Sequence, residues 1–124
     1  MLADVPCTGL GALRRRPESR WRRTEDDLAE LIGLQHRLLV SALDSCMDGG
    51  VVAYVTCSPH HAETVDIVHE TLASYGRKVS IIPAGLAVPG AQRDGDFMQL
   101  WPHRHETDAM FLALLRVGAE EQTR

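Results

Sequence analysis

Apolar positions along this chain fall into blocks whose spacing switches between every second residue and every third or fourth. Val51-Val52-Ala53-Tyr54-Val55-Thr56 is a β-branched run of the length and apolarity of a buried strand. Ahead of it, Leu28, Leu31, Ile32, Gln35, Leu38, Leu39 and Leu43 recur at helical spacing. They predict a helix that starts at Thr24, an N-cap followed by acids at 25–27, and runs to about Cys46. Asp48-Gly49-Gly50 then turns the chain into the strand. A second helix fits 61–74, with Val65, Val68 and Leu72 facing inward and Gly76 as its stop. Lys78 to Ile82 reads as a short strand, and 83–96 as a loop heavy in Gly, Pro and Ala. Phe97 to Trp101 and Ala109 to Leu115 predict two further strands joined by a polar loop over 102–108. At the start, Leu2 and Ala3 read as the tail of a strand, and 5–24 as a loop in which Pro17 interrupts any helix.

Strand–helix–strand–helix–strand is an α/β order, and the closing strand pair predicts an antiparallel hairpin at one sheet edge. Ligands on such sheets bind at loops after the carboxyl ends of parallel strands. Two cysteines stand there: Cys7 in Asp4-Val5-Pro6-Cys7-Thr8-Gly9 and Cys57 in Thr56-Cys57-Ser58-Pro59. Neighbouring strands lie about 4.8 Å apart, so if these two are parallel neighbours the thiols face each other. That arrangement suggests thiol chemistry on a bound substrate.

Composition narrows the setting. With 124 residues, 44% of them hydrophobic and 24% charged, the chain is of a size for one domain with a single core. No apolar run approaches the roughly 20 residues that span a bilayer, and no signal peptide is evident. Three widely spaced cysteines are not a disulfide framework, so a reducing, cytoplasmic compartment is expected. The net charge of −4 argues against a uniformly basic nucleic-acid binder. Yet Arg14, Arg15, Arg16, Arg20, Arg22 and Arg23 crowd one stretch around Trp21, a pattern that suits RNA phosphates with an aromatic ring available for stacking.

The strings DVPCTGLGALRRRPESRWRR, GGVVAYVTCS and LWPHRHETDAMF, in this order, resemble bacterial RNA (cytosine-5)-methyltransferases of the Sun/Fmu (RsmB/Nop) class. The similarity runs from Leu2 to about Val117 and matches the carboxyl-terminal half of that catalytic domain. It implies a partial Rossmann-like methyltransferase fold: four to five strands, two main helices and an antiparallel terminal hairpin. Residues 1–118 would be the partial catalytic domain and 119–124 a disordered tail. By the resemblance, Cys57 is the nucleophile that adds to cytosine carbon 6, and Cys7 assists proton removal from carbon 5 and product release. Asp4 holds the base at its ring nitrogen, while Pro6, Ser58, His103 and His105 form the active-site rim. The cofactor implied is S-adenosylmethionine, with Asp4 and Pro6 supplying part of its site, and the product is 5-methylcytosine in RNA, ribosomal RNA foremost. The family commonly carries Ala at Val5, Gly at Glu106 and Ala109, and Phe at Met110.

The glycine-rich loop that binds the cofactor in such enzymes has no counterpart in the sequence, so the chain reads as a fragment whose partner is the amino-terminal half of the same domain. Two other readings stand beside this one. One is a non-catalytic RNA-binding remnant that uses the arginine segment. The other is a metal or redox thiol protein that uses Cys7, Cys57 and the histidines His60, His61, His103 and His105, although no zinc-finger or HExxH spacing accompanies them and no metal is assigned. Cys46, at a helix end, reads as inert packing.

Overall fold

The computed structural model describes residues 1–7, 9, 25–84, 90–93 and 95–118. The proposed N-cap Thr24, the arginine segment with Trp21, and the tail at 119–124 lie outside them. The elements in chain order are β1 (Leu2–Asp4), α1 (Glu25–Ser45), β2 (Val51–Thr56), a 3-10 turn (His61–Glu63), α2 (Val65–Ser74), β3 (Val79–Ile82), β4 (Gln92–Arg93), β5 (Phe97–Gln99), α3 (Pro102–His105) and β6 (Phe111–Val117).

The strands make one six-stranded sheet in the order β1-β2-β6-β5-β4, with β3 also pairing β6. β1 and β2 are parallel, Leu2 opposite Ala53 and Asp4 opposite Val55. β6 runs antiparallel to β2 along its length and to β3 and β5 on its other side. The expected β5–β6 hairpin therefore exists, but β6 lies inside the sheet rather than at its edge. The reason is in its sequence. Phe111, Ala113, Leu115 and Val117 alternate as fully or almost fully buried positions, a pattern that needs a strand on each side and a layer above.

That layer is the two helices. Leu39, Ala42 and Leu43 of α1 and Val65, Ile67 and Val68 of α2 join Val52, Tyr54, Phe97 and the β6 residues in one core. The opposite face of the central strands, with Val55 on β2 and Leu112 and Leu114 on β6, is half-buried. Leu38, placed inward by its spacing, is instead exposed beside β1. The second helix is also shorter than its pattern. Thr64 breaks it from the 3-10 turn, and Tyr75 leaves it in extended conformation at φ −78° and ψ 138°, so Gly76 is not its left-handed cap. At the end of α1, Cys46 packs against the core, as its sequence position suggests. A Cβ on Gly50 would stand 2.5 Å from its sulfur, so that turn needs glycine.

Candidate active site

The parallel register that sets Asp4 beside Val55 carries both cysteine loops off the same end of the sheet. Val5 extends the ladder by one bond, its N–H donating to the Val55 carbonyl at 3.1 Å. Two residues further on, Cys7 Sγ and Cys57 Sγ lie 3.4 Å apart, both free and both half-buried. Facing thiols, expected from strand order alone, are what the chain builds.

At this distance the sulfurs hydrogen-bond, and their two protons leave in separate steps that belong to the pair. The bond from Cys57 lowers the Cys7 thiol from its ordinary 9.0 to about 6, against burial that raises it. The Thr56 hydroxyl and the Gly9 N–H, 3.4 Å from Cys7 Sγ, lower it further. The same sulfur–sulfur hydrogen bond, with burial and the Cys7 charge, pushes Cys57 far up. The pair thus gives up one proton readily and holds the second, as a thiolate on Cys7 accepting from a thiol on Cys57. Asp4, exposed at the end of β1, adds to the rise at Cys57.

Beneath the sulfurs is a polar cluster that the sequence pattern did not single out. Glu63 is completely buried in the 3-10 turn. Its Oε2 accepts from Ser58 Oγ at 2.5 Å and its Oε1 from Gln35 Nε2 at 3.2 Å. The Gln35 amide also donates to the Pro6 carbonyl at 2.9 Å, and Tyr54 Oη donates to the Glu63 carbonyl at 2.7 Å. Ser58, read as a rim residue, is in fact fully buried within this cluster. A hint was available: Gln35 is a polar residue in the inward stripe of α1, where only a partnered amide is tolerated.

Pro6 is exposed beside Cys7. His103 and His105 sit on the short helix α3, which the sequence reads as loop; proline at its first position starts it. His103 is exposed, its ring 6.0 Å from Trp101, while His105 Nδ1 accepts from the Trp101 N–H at 3.0 Å. The connection from α3 to the cysteine loop runs through Arg93. Its guanidinium lies over the Trp101 ring at 5.8 Å and donates to the Pro59 carbonyl at 3.0 Å. Glu106 ends α3 at φ 53°, the left-handed conformation that favours glycine. Among the described residues, no three His, Cys, Asp or Glu side chains gather where they could hold a metal ion, and no helix is long and apolar enough to cross a membrane.

The family model for the 16S rRNA methyltransferase RsmB/F family matches residues 1–116. The chain belongs to that family. A Mycobacterium tuberculosis protein named as a methyltransferase is 52% identical over 117 residues, which are 94% of this chain and 26% of that protein. Ribosomal RNA small subunit methyltransferase F of Serratia proteamaculans is 33% identical over 120 residues, covering 94% of this chain and 25% of its own length. A solved methyltransferase homolog from Pyrococcus horikoshii superposes with a TM-score of 0.73 at 31% identity, over 93% of this chain and 37% of that one. The chain thus spans about a quarter of the length of the curated relatives it matches. Its fold is the mixed α/β fold of those methyltransferases.

Proposed function

We propose that this chain is the thiol-bearing part of an S-adenosylmethionine-dependent RNA (cytosine-5)-methyltransferase acting on ribosomal RNA. The observation that carries the reading is the 3.4 Å separation of Cys7 and Cys57 at the carboxyl ends of two parallel strands. Carbon 5 of cytosine is a poor nucleophile until the adjacent double bond is saturated, and a sulfur adding at carbon 6 does that. In this reading Cys57 Sγ forms the bond to carbon 6, and its proton passes to the Cys7 thiolate it already faces. Electron density displaced into the ring is met at the ring nitrogen by the proton that Cys7 received, and the Asp4 carboxylate accepts a hydrogen bond from the N–H so formed. S-adenosylmethionine supplies a methyl group made electrophilic by its sulfonium centre. Cys7, a thiolate again once that proton has gone to the ring nitrogen, takes the carbon 5 proton, and the Cys57–carbon 6 bond breaks as the ring nitrogen gives its proton back to Cys57, releasing the base.

Asp4 and Pro6 fit part of a cofactor site, since both are exposed at the carboxyl end of β1 beside Cys7. The remainder of that site belongs, on this reading, to an amino-terminal half of the domain. Among the described residues β1 pairs with β2 alone, and Leu2 on β1 is 68% exposed. A groove of about 290 Å³ between β1 and α1, lined by Leu2, Val5, Leu38 and Ala42 among others, suits a further strand and its connection. Arg14, Arg15, Arg16, Arg20, Arg22 and Arg23, with Trp21, are assigned to RNA contact, and free paired thiols fit a cytoplasmic setting.

RNA containing 5-fluorocytosine tests the reading, because fluorine at carbon 5 cannot leave as a proton would and the sulfur adduct persists. With the chain joined to the preceding segment of a relative's catalytic domain, a covalent adduct is expected on Cys57 and lost in Cys57→Ala. An adduct on Cys7 would reverse the two roles, and no adduct in the presence of cofactor would remove the reading.

A further inference from the structure

The last backbone bond between β1 and β2 among the described residues is Val5 to Val55, two positions short of each cysteine. Beyond it the ladder no longer fixes the spacing of the two loops. A second connection crosses beneath the sulfurs: the Pro6 carbonyl accepts from Gln35 Nε2, Gln35 Nε2 also donates to Glu63 Oε1, and Glu63 Oε2 accepts from Ser58 Oγ. Its two ends are the residue before Cys7 and the residue after Cys57. Gln35, Ser58 and Glu63 are all fully buried, and Tyr54, on β2 itself, holds the Glu63 backbone.

We propose that Gln35 and Glu63 are positioning residues that set the distance between the two sulfurs. The inference rests on the reading of Cys7 and Cys57 as a reacting pair and adds what holds them in reach. Packing alone does not account for this cluster. Gln35 lies in the stripe of α1 that holds Leu39 and Leu43, where an aliphatic side chain would complete the core. Instead its Oε1 is buried with no hydrogen-bond partner among the described residues, a cost that an apolar side chain would not incur. The amide is kept while half of its bonding capacity is unused, and the used half spans the two cysteine loops. Among the described residues, the charged and titratable groups that act on the pair are Glu63, Asp4 on β1 and Tyr54 on β2.

The test reads the sulfurs directly, with no RNA or cofactor, on the 124-residue chain. Phenylarsine oxide binds tightly only where two thiols reach one arsenic atom, and iodoacetamide reports the thiolate through the pH dependence of alkylation. In Gln35→Met, close in shape and helix-compatible, the arsenical affinity is expected to weaken about tenfold or more as the sulfurs lose their preset spacing. The alkylation midpoint should rise from about 6 towards the ordinary 9.0 as the bond from Cys57 is lost. Glu63→Gln keeps an acceptor for Gln35, offers the Ser58 hydroxyl an N–H in place of the acceptor it had, and carries no charge. It should keep the arsenical affinity within about twofold and lower the midpoint, because the Glu63 charge raises Cys7. Unchanged affinity and midpoint in a cooperatively melting Gln35→Met would overturn the proposal. So would a Glu63→Gln that weakens the arsenical as much as Gln35→Met does. If Gln35→Met fails to fold, Ser58→Ala breaks the other end of the connection, and unchanged arsenical binding there overturns it equally. Failure of the 5-fluorocytosine adduct would leave these thiol readouts standing, so the two claims fall separately.

Discussion

The two ends of strand β2 do the same mechanical job with opposite chemistry. At its carboxyl end, the loop after Thr56 is tied to α1 and to the β1 loop through a fully buried carboxylate, Glu63, with Gln35, Ser58 and Tyr54 around it. At its amino end, the turn before Val51 is tied to α1 and β3 through Arg77, which pairs with the exposed Asp48 and donates to the carbonyls of Leu43 and Cys46 at 3.1 and 3.2 Å. Tyr75 reinforces that end by donating to Asp44 at 2.6 Å. Water can replace a partner lost at the exposed end, whereas at the buried end each donor or acceptor has only the protein. The chain spends buried polar groups where the thiols must be held and uses ordinary surface contacts where it needs only a turn.

The largest expected effect follows from removing the buried carboxylate. Glu63→Ala leaves the Gln35 and Ser58 donors without their acceptor and opens a cavity. It should lower folding stability by about 3 kcal/mol. Urea unfolding of the two chains measures this as a shift in midpoint at unchanged slope. A loss below about 1 kcal/mol, within the range of a single hydrogen bond, would mean that the buried end is no more demanding than the exposed one.

A second difference between the ends is their response to pH. The Cys7 thiol, held near 6 when folded and at an ordinary 9.0 when unfolded, ionises first in the folded chain. Between these values the unfolded state binds more protons, so stability rises with pH, and this contribution is lost as pH falls through about 6. Cys57 works the other way. Pushed up in the fold, it removes stability as pH rises beyond the ordinary cysteine range. Stability measured against pH should therefore climb from 6 towards 9 and then fall, and the climb should vanish in Cys7→Ser. An identical climb in Cys7→Ser would place its origin outside the thiol pair.

Much of this arrangement was legible in the sequence, and what was not has physical reasons. β2 lies within the bounds its β-branched run marks, and α1 ends one residue before Cys46, because periodicity over six and twenty-one residues leaves few alternatives. The thiol pair followed from two strand ends and the spacing between neighbours. β4 was not legible: a two-residue strand exists only through its pairing with β5. Nor was Glu63, since a carboxylate near a helix start ordinarily complements the helix dipole in solvent. Its burial depends on Gln35, Ser58 and Tyr54 converging from α1 and β2, which no local pattern encodes. The interior place of β6 was misjudged for a similar reason. A terminal hairpin reads as an edge until β3 is seen to pair with β6 along Val79–Ile82.

The smallest expected effect lies at the exposed end and sharpens the contrast most. Arg77→Ala removes the Asp48 ion pair and two hydrogen bonds to the last carbonyls of α1. Those carbonyls and Asp48 can turn to water, because the Arg77 side chain is 36% and the Asp48 side chain 79% exposed. The loss of stability should be clearly smaller than for Glu63→Ala, and thermal melting at low and high salt can separate its parts. The ion-pair share should shrink in salt, since exposed charges are screened over about 10 Å at 0.1 M, while any share from the helix carbonyls should persist. The turn has a further restraint that does not depend on Arg77: Gly118, at φ +93°, lies so close to Asp48 that a Cβ there would stand 2.9 Å from its carboxylate oxygen. Gly49 also donates to the Val117 carbonyl at 2.7 Å, so backbone contacts alone keep the turn shut when the arginine is gone. An Arg77→Ala chain as unstable as Glu63→Ala would mean that the arginine, and not these backbone contacts, closes this end of the sheet.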